Sequence, residues 1–61
     1  MKSSELIRKL KRDGWYKVRQ KGSHLIMQHA KKEGQIVVPD HGNDEVGKGL
    51  ANKILKEAQL K

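Results

Sequence analysis

Gly22-Ser23-His24 follows directly on Lys17, Arg19 and Lys21, three cations at alternate positions. This places one imidazole, a group that takes up and gives back a proton near neutral pH, beside a surface that attracts polyanions. Proton transfer next to a bound phosphate is the chemistry such a grouping suggests. A metal is not indicated. Asp40, His41 and Asp44 share one segment, but their spacing fits no recognised ligand set, and the three histidines, His24, His29 and His41, are scattered along the chain. No cofactor is expected.

The positive charge extends well beyond this segment. Fourteen Lys and Arg stand against seven Asp and Glu, a formal charge of +7, and the cations recur from Lys2 to Lys61 instead of gathering in one tail. The field therefore belongs to the folded unit and favours phosphates, with an acidic protein as the other class of partner. A chain of 61 residues has room for one modest core, so residues 1–61 are expected to form a single domain. There is no cysteine to supply a disulfide or a thiolate zinc site. The first residues lead into an amphipathic pattern, and no stretch approaches the roughly 20 apolar residues of a membrane span. The expectation is a soluble, cytoplasmic protein without membrane contact.

Five elements are needed to hold these residues. Leu6, Ile7 and Leu10 share one face of a first helix, with Arg8, Lys9, Lys11 and Arg12 turned to water. Ser3 or Ser4 is positioned to cap it, and Asp13-Gly14 ends it. From Trp15 to Gln20 the period changes to two: Tyr16 and Val18 are expected to face the core, with Trp15, Lys17, Arg19 and Lys21 opposite. Gly22-Ser23 makes a tight turn. Residues 24–29 return as a second strand with Leu25 and Met27 inward, which turns His24 outward on the side expected for Lys17 and Arg19. Residues 35–38 form a third, β-branched strand ended by Pro39. After a loop over 40–47, a second helix begins at Lys48 or Gly49, with Leu50, Ile54, Leu55 and Ala58 toward the sheet. The fold class is α+β: α-β-β-β-α, a three-stranded antiparallel sheet with both helices on one face.

Asp13-Gly14-Trp15, Arg19-Gln20-Lys21-Gly22-Ser23-His24, His29, Val37-Val38-Pro39 with His41, and the closing Lys48-Gly49 with Ile54-Leu55-Lys56 together resemble the HicA-type toxins. These are mRNA-cleaving members of bacterial and archaeal toxin–antitoxin pairs. The resemblance covers nearly the whole chain, and it is the ordered set, not any single piece, that carries it. It implies a fold like that of a double-stranded-RNA-binding domain, ribosome-independent endoribonuclease activity, an essential histidine at His24, and an acidic antitoxin of the HicB type that blocks the site. So few residues suffice because RNA brings its own 2′-hydroxyl nucleophile, leaving the enzyme to move protons and steady charge without a metal.

On this reading His24 is the base. Lys17, Arg19 or Lys21 holds the scissile phosphate, and Gly22 and Ser23 lie against the RNA. Lys48 and Lys53 are expected as further RNA contacts, because the start of the second helix offers free N–H groups and glycines at 47 and 49 let a backbone approach. The first-helix cations are read as a solvated face, Trp15 as a residue packed on the core edge, and His29, an odd number of residues from His24, as a structural hydrogen-bonding group. Leu50 stands where many family members carry a helix-capping threonine, which leaves that cap to a glycine or to Asn43 or Asp44. A non-catalytic RNA-binding module is the alternative; it would bind without cleaving.

Overall fold

In the computed structural model, which describes residues 1–60, the chain runs α1 (Ser3–Asp13), β1 (Trp15–Lys21), β2 (His24–His29), β3 (Gln35–Pro39) and α2 (Lys48–Glu57). The strands form one antiparallel sheet in the order β1-β2-β3. This is the α-β-β-β-α arrangement read from periodicity.

The helices cover one side of the sheet with a single cluster of apolar side chains. α1 contributes Leu6 and Leu10, β2 Leu25 and Met27, β3 Ile36 and Val38, and α2 Ala51 and Ile54, with Ala58 just past its end. Fully burying a leucine of this kind stabilises the fold by roughly 1.5–3 kcal/mol. On α2 the buried positions fall at spacings of three and four, and Leu50 is not among them. It is 47% exposed, and its neighbour Ala51 takes the core position. The helix is rotated so that the small residue faces the core, which leaves the larger one outside.

The start of α1 differs from expectation. Lys2 occupies the cap position, and neither serine caps the helix locally. The free N–H groups of Ser3 and Ser4 donate instead to the carbonyls of Asp44 and Gly42, each at 2.9 Å. This releases the Ser3 hydroxyl, which is fully buried, to donate to the Pro39 carbonyl and to accept the backbone N–H of His41 at 3.1 Å. Lys2 and Glu45 form a one-residue bridge beside it, and Val46 anchors the loop in the core. The long 40–47 segment is thus tied to the start of α1, and its carbonyls meet the orphan donors that every helix N-terminus leaves. α2 likewise lacks a side-chain cap from Asn43 or Asp44 and begins behind Gly47.

The faces of β1 also need correction. Trp15 is 3% exposed and lies in the core, whereas Tyr16 and Val18 are both about half-exposed. The left-handed Gly14 (φ 114°) swings the chain out of α1 so that Trp15, not Tyr16, meets the core. Lys17 then pairs with Met27 but Arg19 with Ile26, leaving Val18 as the extra residue of a β-bulge. Strict alternation from 15 to 21 therefore fails at its middle.

Candidate functional site

His24 opens β2, paired with Lys21 of β1 on one side and Pro39 of β3 on the other. The turn before it is fixed from both flanks. Gly22 adopts φ 60° and Gln20 Nε2 donates to its carbonyl at 3.1 Å, while Asp40 N–H donates to the Ser23 carbonyl at 2.7 Å. Because Leu25 and Met27 are buried against the helices, the alternation of β2 turns His24 to the opposite, open face, where it is exposed.

The register assigns that open face residue by residue. Lys21, His24 and Pro39 form a first row across the three strands, Arg19, Ile26 and Val37 a second, and Tyr16, Gln28 and Gln35 a third. The charged residues in these rows are cations. Side chains directly opposite on neighbouring strands have Cβ atoms about 4.5–5.5 Å apart, so Lys21 is within reach of whatever His24 touches.

The bulge divides the cations expected beside His24. Arg19 and Lys21 share its face, whereas Lys17 lies on the helix side, opposite Met27. There, with Gln20, it lines a cleft of about 410 Å³ together with Arg8, Lys11 and Asp40. Lys48 and Lys53 are exposed on α2, in the helical layer, and do not join the His24 face. Gly22 and Ser23 stay beside His24 through the turn.

His29 is structural, as its position in the strand suggests. Its Nε2 lies 2.8 Å from the Asp13 carbonyl and donates to it, while Nδ1 accepts the Lys31 N–H at 2.9 Å. Both ring nitrogens of the neutral form are thereby engaged. The ring stands edge-on to Trp15, with centroids 5.3 Å apart and planes at 74°. His41 is exposed, held by its backbone N–H to Ser3.

Lys32, which the sequence offers only as one polar residue of a turn, is an organising group. Its Nζ lies 2.6 Å from Asp13 Oδ2, 2.9 Å from the Ala58 carbonyl and 3.5 Å from that of Gln59, joining the C-terminal ends of both helices. The hydrogen bond from Lys32 is the main cause holding the Asp13 carboxyl below its ordinary value, with weaker support from the positive charge of Lys32 and from His29, while desolvation works the other way. The buried Trp15 indole N–H has no hydrogen-bond partner among the described residues.

Among the described residues, no group of three or more His, Asp or Glu side chains is arranged to hold a metal ion, and no helix is long and apolar enough to cross a membrane.

Comparison with known proteins adds a family. A model described as the HicA toxin of bacterial toxin–antitoxin matches residues 3–60. A protein of Pseudomonas fluorescens (strain Pf0-1) named as a probable mRNA interferase HicA is 43% identical over 61 residues, which is all of this chain and 98% of that protein.

Proposed function

Because the chain belongs to the HicA toxin family, we propose that it is the RNA-cleaving toxin of a toxin–antitoxin pair, with His24 as its catalytic base. The observation that carries this reading is the exposed imidazole of His24 on a cationic, carboxylate-free sheet face, directly opposite Lys21.

The reaction needs little machinery. His24 accepts the proton of a ribose 2′-hydroxyl, the freed oxygen attacks the adjacent phosphorus, and the bond from phosphorus to the 5′-oxygen of the next nucleotide breaks. The leaving oxygen takes a proton from water or from the imidazolium just formed. The products are a 2′,3′-cyclic phosphate and a 5′-hydroxyl end. Lys21, with Arg19 in the next row, lies where negative charge grows on the phosphate oxygens, and a donor fixed in advance at such a place lowers the barrier most. Gly22 and Ser23 bring the turn backbone against the RNA. Lys17, Lys48 and Lys53, on the helix side, add diffuse attraction for the polymer. No step calls for a metal, because the nucleophile is internal to the substrate and proton transfer suffices to activate it.

The natural inhibitor on this reading is an acidic antitoxin of the HicB type, drawn to the same positive field and shutting the His24 face. The site of action is the cytoplasm, where mRNA is met, and residues 1–61 act as one unit. The test is incubation of the wild type and His24→Ala with RNA in EDTA. Cleavage by the first and none by the second supports base and metal independence together. Undiminished cleavage by His24→Ala removes the proposal, and salt-dependent binding with no cleavage by either protein reduces the chain to a non-catalytic RNA-binding module.

A further inference from the structure

Tyr16 stands in the third row of the open face, 49% exposed, beside Gln28 and Gln35. Ile26, only 8% exposed, fills the centre of that face, with half-exposed Val37 and the Arg19 chain on either side. This large aromatic ring takes no part in the core cluster, which lies on the other side of the sheet, and stands half in water on a cationic face. We infer that single-stranded RNA crosses this open face from His24 to Tyr16 and that the Tyr16 ring stacks on a base displaced from the cleaved bond. This rests on the RNA-cleaving reading above and adds to it a path and a base contact.

Three features select single-stranded RNA as the occupant. The charged residues of the face are cations, Arg19 and Lys21, which match a phosphate backbone and repel nothing in it. An exposed ring beside cations on a sheet is a stacking platform for unpaired bases, whose π faces are available only when they are splayed from a duplex. The scale also fits. From His24 to Gln28, the partner of Tyr16, β2 advances four residues, about 13 Å at the usual rise, several times the about 3.4 Å between stacked nucleotides. The stacked base is therefore a few nucleotides from the cut, and Arg19 lies between to meet an intervening phosphate. Gln28 and Gln35 share a long amide contact of 3.4 Å and keep further donors and acceptors free for a base edge. The cleft on the helix side has cations in Arg8, Lys11 and Lys17, but among its lining residues no aromatic ring and one carboxylate, Asp40.

The test uses the full chain and a short 2′-O-methyl uridine oligomer, which lacks the nucleophilic hydroxyl and stays intact whether or not His24 is the base. Tyr16→Leu, which keeps apolar bulk but no ring, is expected to weaken binding about tenfold, and Tyr16→Phe to bind within about twofold of wild type. Photo-cross-linking with a 2′-O-methyl oligomer carrying 4-thiouracil bases, assigned to single residues by fragment mass spectrometry, is expected to label Tyr16 itself, and this readout does not depend on a variant folding. Equal affinity of Tyr16→Leu and wild type, or cross-links confined to α1 and Lys17, overturns the inference even if His24→Ala abolishes cleavage. An oligomer that is not bound at all overturns it together with the RNA reading and leaves the face to a protein partner.

Discussion

A methyl group placed on Gly14 would stand 2.6 Å from Nε2 of His29, the nitrogen that donates to the Asp13 carbonyl. Gly14 also holds φ 114°, a conformation that residues with a Cβ rarely adopt. The two costs act at one point. Gly14→Ala must strain the backbone and push away the His29 ring, with loss of its hydrogen bond, for a total of about 2–4 kcal/mol. In a domain this small that is a fall of roughly 10 °C or more in the thermal midpoint. A fall of less than a few degrees in thermal unfolding would mean that His29 can swing aside freely.

Acid is predicted to loosen the link between Asp13 and Lys32. The folded-state carboxyl is held below its ordinary value of 3.8, chiefly by the Lys32 hydrogen bond. A group depressed in this way contributes stability that is present above the unfolded value and disappears as pH falls through the folded one. Urea midpoints of the wild type are therefore expected to drop between pH 5 and strongly acid solution more steeply than those of Asp13→Asn. Parallel pH profiles for the two proteins would dismiss the link.

Cleavage is expected to separate two lysines that are close in sequence. Lys21 faces the same side as His24 and Lys17 the opposite one. Lys21→Ala should lower kcat/KM by about a hundredfold, the lower range for losing a fixed charge donor. Lys17→Ala should leave it within about threefold at physiological salt, because a charge across the sheet is largely screened. Equal losses, measured with one RNA substrate, would show that the two faces do not divide the work.

Ser3 is a test of the loop. Its buried hydroxyl joins Pro39 and His41, so Ser3→Ala leaves the Pro39 carbonyl and the His41 N–H without that partner. The expected cost is about 1–3 kcal/mol in unfolding free energy. It should be accompanied by faster hydrogen exchange at the amides of Ser3 and Ser4, which the same loop holds. Unchanged exchange would argue that the 40–47 segment is secured without the Ser3 hydroxyl, by Val46 and the Lys2–Glu45 bridge.

Much of this fold was legible because its signals are local. The three- and four-residue steps from Ile7 and Leu6 to Leu10, the change to period two at Trp15, and Gly14 as a helix stop each depend on a few neighbouring residues. The opposed faces of His24 and His29 followed from the parity of one regular strand. The faces of β1 were not legible, because a bulge at Val18 is settled by pairing with β2, a partner the local pattern does not contain. The capping of α1 by carbonyls some 40 residues away, and the reach of Lys32 to both helix ends, are tertiary for the same reason. Tyr16 was hidden from view by the same error: once assigned to the core, it could not be read as a surface ring on the His24 face.

The extra residue at Val18 matters outside recognition as well. β1 is an outer strand, with β2 on one side only, and a flat uncharged border of this kind invites chains to zip together. A kink in that border, studded with Lys17, Arg19 and Lys21, discourages such sticking. Neutralising these side chains to silence the molecule would thus also weaken its guard against clumping, and solubility is the first thing to watch in such variants.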